Sequence, residues 1–305
     1  RTRGRQPNSI YVRFSADGGV HWLDGERIDL DTAGSGNARD SSWTGVKAGN
    51  DIQRTLHWQL VAGDATSDVR QLVVRPLPTV VEMSTRCDYP AYTGLPTTTQ
   101  PGGDVDALIG TRATIFARTN VAARDPILVV GTPPHEQRRT MAVASAPAMG
   151  ADGEHIVQED TTYQVSFTDL YGKANRDSIN YRIRARHDRP PQVAVIGPSG
   201  SVEVASNASI FLGATAEDDF GLTRAEFVYR LARTNETRSL SLRMKPFPIR
   251  PAPGSGVKAD LTQRVAIGSL AVSPGDSVEW WVSVWDNRHD PQDRPAFQKA
   301  DSAIG

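Results

Sequence analysis

The feature that most constrains this chain is a seven-residue pattern that occurs three times. Trp58-Gln59-Leu60-Val61-Ala62-Gly63-Asp64, Tyr163-Gln164-Val165-Ser166-Phe167-Thr168-Asp169 and Trp280-Trp281-Val282-Ser283-Val284-Trp285-Asp286 superpose without gaps. Each reads aromatic, any residue, aliphatic, any residue, apolar, any residue, Asp. Successive side chains of an extended strand point to opposite faces, so the aromatic and the next two apolar positions share one face. That is the pattern of a strand with one side in a core. The copies recur at roughly the length of one sandwich domain, about 100 residues, which marks them as a true repeat.

Proline-rich stretches follow the first two copies. Val73-Val74-Arg75-Pro76-Leu77-Pro78-Thr79-Val80 closes one module and Arg186-His187-Asp188-Arg189-Pro190-Pro191-Gln192-Val193 closes the next. Proline has no backbone donor and cannot continue a central ladder, so these stretches read as joints between a last strand and a next first strand. The boundaries drawn from them give modules at 1–77, 78–188 and 189–305. The first lacks the early strands of a full sandwich, and the third stops at Asp301-Ser302-Ala303-Ile304, where a last strand is expected to begin. Both ends therefore read as cut from a longer protein.

Between the repeats, short alternating runs recur and helical periodicity is scarce. Ile10, Val12 and Phe14 share a face, and Asp17-Gly18-Gly19 then predicts a hairpin into His21-Trp22-Leu23. Ile179, Tyr181 and Ile183 alternate, as do Ala225, Phe227, Tyr229 and Leu231. Many short strands between turn signals predict an all-β chain of tandem sandwich modules. Cys87 is the only cysteine, so the modules are disulfide-free. With 34 Lys+Arg against 35 Asp+Glu, the net charge is -1, which argues against nucleic acid as the main partner. Arg182, Arg184 and Arg186 alternate along one strand and read as a solvated face. No apolar run approaches the roughly 20 residues that span a bilayer.

Two clusters carry candidate chemistry. Asp218 and Asp219 follow the strand Ile210–Ala214, while Asp286, Asn287 and Asp290 follow the third repeat. Loops at one end of a sandwich can meet, and a convergence of oxygens would suit calcium, which takes six to eight. The alternative is that these residues only shape turns, as Asp64 and Asp169 would at the same place in the other copies. Trp281 and Trp285 fall on the face opposite Trp280, roughly 13 Å apart along the strand. They could stack on sugar rings or lie covered by neighbouring strands. No catalytic residue is nominated. Cys87 reads as passive, the six histidines form no metal-binding pair, and phosphate-loop, dinucleotide and nucleophile-elbow motifs are absent. The stretch Gly254-Ser255-Gly256, preceded by Pro246, Pro248, Pro251 and Pro253, predicts an extended excursion.

The repeated strand resembles strand F of the immunoglobulin fold. There an acidic residue precedes the tyrosine by four positions, as Glu159 precedes Tyr163 and Asp276 precedes Trp280. The cysteine position holds Leu60, Val165 and Val282, and only Tyr163 keeps a hydroxyl for a tyrosine corner. The implied fold class is tandem immunoglobulin-like or fibronectin-III-like sandwiches. A narrower resemblance covers most of residues 60–290 and rests on Val61-Ala62-Gly63-Asp64, Tyr89-Pro90-Ala91-Tyr92-Thr93-Gly94-Leu95-Pro96, Asp104–Thr111, Glu217-Asp218-Asp219-Phe220-Gly221-Leu222 and Pro274–Trp280. These strings resemble large uncharacterised bacterial envelope proteins of planctomycete type. The resemblance implies an extracytoplasmic position, a membrane anchor outside the sequence, and a protein or cell-wall partner. The resulting expectation is a non-enzymatic spacer or protein-binding array, with a carbohydrate or cell-wall-polymer binding module as the alternative.

Overall fold

A computed structural model describes residues 2–3, 7–23, 26–33, 40–143, 149–175, 178–198, 200–242, 256–290 and 292–304. Most of the expected proline-rich excursion, 243–255, lies outside these residues. The fold is all-β: described strands account for it, with only three-residue or four-residue 3₁₀ turns beside them. Two compact units are formed, Arg1–Leu77 and Pro78–Gly305. Among the described residues no helix is long and apolar enough to cross a membrane.

In the first unit, the strand Ile10–Ser15 is central and pairs antiparallel with both Ile28–Ala33 and Leu56–Ala62. Arg70–Leu72 joins the outer side of Leu56–Ala62. The arm expected at His21–Leu23 is therefore misplaced, because Ile28–Ala33 forms the hairpin partner. The Asp17 carboxylate explains the detour, accepting from the Ser15 hydroxyl at 2.7 Å and the His21 amide at 2.9 Å. It folds the chain into a capped loop, held below the usual carboxylate range by those bonds.

The described strands of this unit make one sheet. Ile10, Phe14, Leu56 and Val61 are buried, as is Gln59, whereas Trp58 is half-buried beneath Arg70. The first repeat thus forms its strand but does not bury the expected Trp58, Leu60 and Ala62 face. Gln59 is buried by polar bonding, accepting from Arg13 at 2.6 Å and donating to the Ser67 carbonyl at 2.6 Å.

The second unit contains two hydrophobic cores. Around the first, Val105–Leu108, Tyr181–Arg186, Thr161–Thr168, Arg124–Val130 and Gln137–Thr140 form one five-stranded sheet. The facing sheet runs Ala142–Val143, Gly150–Ile156, Arg112–Thr119, Val80–Asp88 and Thr98–Pro101. Val105–Leu108 pairs parallel with Tyr181–Arg186, while the other pairings are antiparallel. This is an immunoglobulin-like sandwich. Tyr163, Val165, Ile115, Leu128 and Ile183 fill its centre. The Tyr163 hydroxyl donates to the Gly103 carbonyl, so it does not make the local bond of a tyrosine corner but ties the strand to the segment before Val105.

The second core lies between Gln192–Gly197, Ser209–Asp218 and Val257–Ala266 on one side and Glu236–Ser241, Leu222–Leu231, Val278–Asp286 and Lys299–Asp301 on the other. Ala225, Phe227, Tyr229 and Leu231 all point inward, as their alternation predicts, against Trp280, Val282 and Val284. The strand expected to begin after Asp301 instead ends there. Lys299–Asp301 pairs with the third repeat, and the Ser302 amide continues to the Val282 carbonyl at 2.9 Å.

Candidate functional site

The two sandwiches of the second unit meet where four loops come together. The chain leaves Val80–Asp88 and makes a 3₁₀ turn at Ala91–Thr93, closed by Gly94 in the left-handed region at φ 64°. A side chain at that φ is strained, which is why glycine follows Thr93. The turn presents Tyr92. Its ring meets Phe220 edge-on at 6.1 Å and His289 at 5.8 Å, and its carbonyl accepts the Asn287 side-chain amide at 2.9 Å. Asp188 enters from the proline-rich joint, where its carbonyl accepts Gln298 Nε2 at 3.1 Å.

Asp218 and Asp286 share one construction. Asp218 Oδ2 accepts the amides of Phe220 at 2.8 Å and Gly221 at 2.7 Å. Asp286 Oδ1 accepts those of Gln298 at 2.7 Å and Arg288 at 3.2 Å. One oxygen of each therefore sets the loop. Asp218 Oδ1 and Asp286 Oδ2 have no hydrogen-bond partner, although Asp218 is only 7% exposed and Asp286 0%. Asp219 Oδ1 and Asn287 Oδ1 are likewise buried and unpartnered, and both oxygens of Asp188 are shielded from solvent with the Tyr92 hydroxyl and the Asp219 carboxyl beside them. Asn287 packs so closely on Gly221 that a Cβ there would lie 2.7 Å from its Nδ2.

The electrostatics follow from this crowding. Burial, then the adjoining Asp219, pushes Asp188 up to about 7, against a lowering by the Tyr92 hydroxyl. Burial also pushes Asp218 up to about 6, opposed by its two backbone amides, with the charges of Asp219 and Asp286 adding to the rise. Asp286 is raised by burial against the amides of Gln298 and Arg288 and the Arg288 charge. The Tyr92 hydroxyl is pushed far up by burial, then by Asp188. Among the described residues, no group of three or more His, Cys, Asp or Glu side chains is placed, as it stands, to hold a metal ion.

Of the five residues expected to converge, Asp218, Asp219, Asp286 and Asn287 do. Asp290 does not join them. Its Oδ1 accepts the amides of Gln292 and Arg294 at 2.9 Å, and its Oδ2 takes Arg294 Nε at 2.7 Å. That is a turn cap, and Asp169 makes the same turn with Tyr171 and Lys173. Sequence reasoning missed Asp188 and Tyr92, both inside strings already singled out. An acidic residue two positions before the Pro190-Pro191 pair was the available signal. Trp281 and Trp285 are half-buried on the outward face, where Arg224 stands 3.8 Å and Lys299 5.4 Å from the Trp285 ring. Cys87 is buried opposite Ala113, its thiol raised by burial and then by Asp88, the reverse of what a reactive thiolate needs.

No family model and no curated protein matches the chain. Solved structures with a likeness include one on host cell surface retention of a 1.5-MDa bacterial ice-binding adhesin, 13% identical over 99% of this chain and 86% of that one, TM-score 0.33. The fibronectin(III)-like modules of Clostridium thermocellum CbhA are 15% identical over 67% of this chain and 90% of theirs, TM-score 0.22. Dpr2 Ig1-Ig2 in complex with DIP-Theta Ig1-Ig3 is 11% identical over 97% and 88%, TM-score 0.27. The sandwich assignment stands on the sheet order described above.

Proposed function

We propose that this chain is a non-enzymatic structural and interaction segment of a bacterial cell-envelope protein, acting as a spacer or protein-binding array. The observation that carries the reading is the ordered joint of the second unit. There, side chains of one sandwich bond backbone of the other and of the connecting segment: Asn287 to the Tyr92 carbonyl and Gln298 to the Asp188 carbonyl. A segment that holds or transmits position needs such joints, because an unstructured linker decouples its neighbours. The extracytoplasmic position, and an anchor outside the present sequence, are part of the same proposal. They are supported by the resemblance of Tyr89–Pro96 and Glu217–Leu222 to envelope proteins. Pulling the full chain between handles at its two ends tests the spacer reading. Discrete unfolding steps, with each C-terminal sandwich giving its own, are expected; one all-or-none step for the whole chain would overturn it.

A further inference from the structure

We propose that the joint between the two C-terminal sandwiches is a calcium site, formed by Asp188, Asp218, Asp219 and Asp286 with the side-chain oxygen of Asn287. Six side-chain oxygens there are shielded from solvent: Asp218 Oδ1, Asp219 Oδ1, Asp286 Oδ2 and Asn287 Oδ1, which have no hydrogen-bond partner, and both oxygens of Asp188, which have only the Tyr92 hydroxyl and the Asp219 carboxyl beside them. Buried polar atoms in native proteins are almost always satisfied, and each exception calls for a partner. Turn formation accounts for only one oxygen each of Asp218 and Asp286, since their backbone bonds leave the second oxygen of each buried and bare. The two fully explained turn aspartates, Asp169 and Asp290, show what a purely structural role looks like in this chain.

The chemistry selects the ion. Every one of the six atoms is an oxygen, the donor that hard cations prefer. Calcium accepts six to eight such ligands in irregular geometry, whereas magnesium demands a near-octahedral shell and keeps several waters. Burying several carboxylates together without a counter-charge costs several kcal/mol per ion, and a divalent cation removes that cost. Arg288, whose charge reaches both Tyr92 and Asp286, is the cation already nearby. As they stand the carboxylates form no metal-holding group, and coordination requires them to turn inward around the ion. The ligands come from the connecting segment, from the turn after Ser209–Asp218 and from the loop after Val278–Asp286. Binding therefore fastens the linker to the third sandwich while Asn287 holds Tyr92 of the preceding one. Such a site would serve a spacer and a binding module alike.

Calorimetric titration of the chelator-treated full chain with calcium chloride, and separately with magnesium chloride, tests the assignment. Asp188→Asn removes charge while keeping an oxygen for the Tyr92 hydroxyl, and Asp286→Asn keeps an oxygen for the loop amides. Both are expected to fold, as circular dichroism will verify. The expected result is calcium binding in preference to magnesium, weakened about tenfold or more by each variant. Asp290→Asn should bind as the unmodified chain does. No calcium binding at millimolar concentration, a preference for magnesium, or a smaller loss in either Asn variant overturns the proposal.

Discussion

Asn287 donates its side-chain amide to the backbone carbonyl of Tyr92 at 2.9 Å, joining residues 195 positions apart in sequence. The bond bridges two separately cored sandwiches. Removing it in Asn287→Ala leaves the Tyr92 carbonyl without this partner and opens space beside Gly221. A lost hydrogen bond with a stranded carbonyl costs about 1–3 kcal/mol. The cost should fall on the joint alone. Amide exchange within 89–94 and 217–222 is expected to accelerate, while exchange in the strands Arg112–Thr119 and Val257–Ala266 stays as before.

Gly103 sits against the face of Tyr181, where an added Cβ would lie 2.2 Å from the ring. Tyr181 stacks on Tyr163 at 5.4 Å, and Tyr163 in turn bonds the Gly103 carbonyl. Gly103→Ala must therefore displace a stacked pair at the centre of the sandwich. Overpacking of this kind costs about 1–3 kcal/mol. Tyr163→Phe keeps the packing but strands the buried Gly103 carbonyl, at about 1–3 kcal/mol. Urea unfolding is expected to show both variants less stable than the native chain; a native-like midpoint in either would contradict the arrangement.

His155 lies buried on the strand Gly150–Ile156, 7% exposed, with Nδ1 unpartnered. Burial, and then the charge of Arg139, hold it below the usual histidine range. A depressed folded-state value means that the unfolded chain takes up the proton first as pH falls. The contribution of neutral His155 is thus fully present above about pH 6.5 and declines below it. The raised carboxyls of the joint act in the opposite sense, so the comparison must isolate one residue. Between pH 7.5 and 5, the unfolding midpoint of the native chain should fall relative to that of His155→Gln; parallel profiles would contradict the assignment.

Much of this architecture is written into the sequence. The repeated strand is found at Leu56–Ala62, Thr161–Thr168 and Val278–Asp286, because alternation reports which side chains face a core. Its buried face follows the pattern at Tyr163 and Trp280, where a second sheet lies opposite. It departs from the pattern at Trp58, where the described strands form a single sheet and Gln59 is buried by hydrogen bonds instead. The hairpin at Asp17 was misjudged because a capping carboxylate and a turn into a partner strand begin with the same residues.

The joint was legible in parts and not as a whole. Tyr92, Asp218, Asp219 and Phe220 belong to two of the strings that mark the resemblance to envelope proteins, yet nothing in linear order shows that they meet. Asp188 read as linker because its role depends on a neighbour, Asp219, that only the folded chain supplies. Asp290 had the composition of a ligand, but Arg294 four residues later claims its carboxylate. Local pairing of that kind is visible only once side chains have positions.

Amide hydrogen exchange of the full chain, in calcium and in chelator, tests the account of the joint most directly. Calcium should slow exchange in 186–190, 217–222 and 286–290 together, leaving the central strands of both sandwiches unchanged. Identical exchange at these three segments in the two conditions would contradict it.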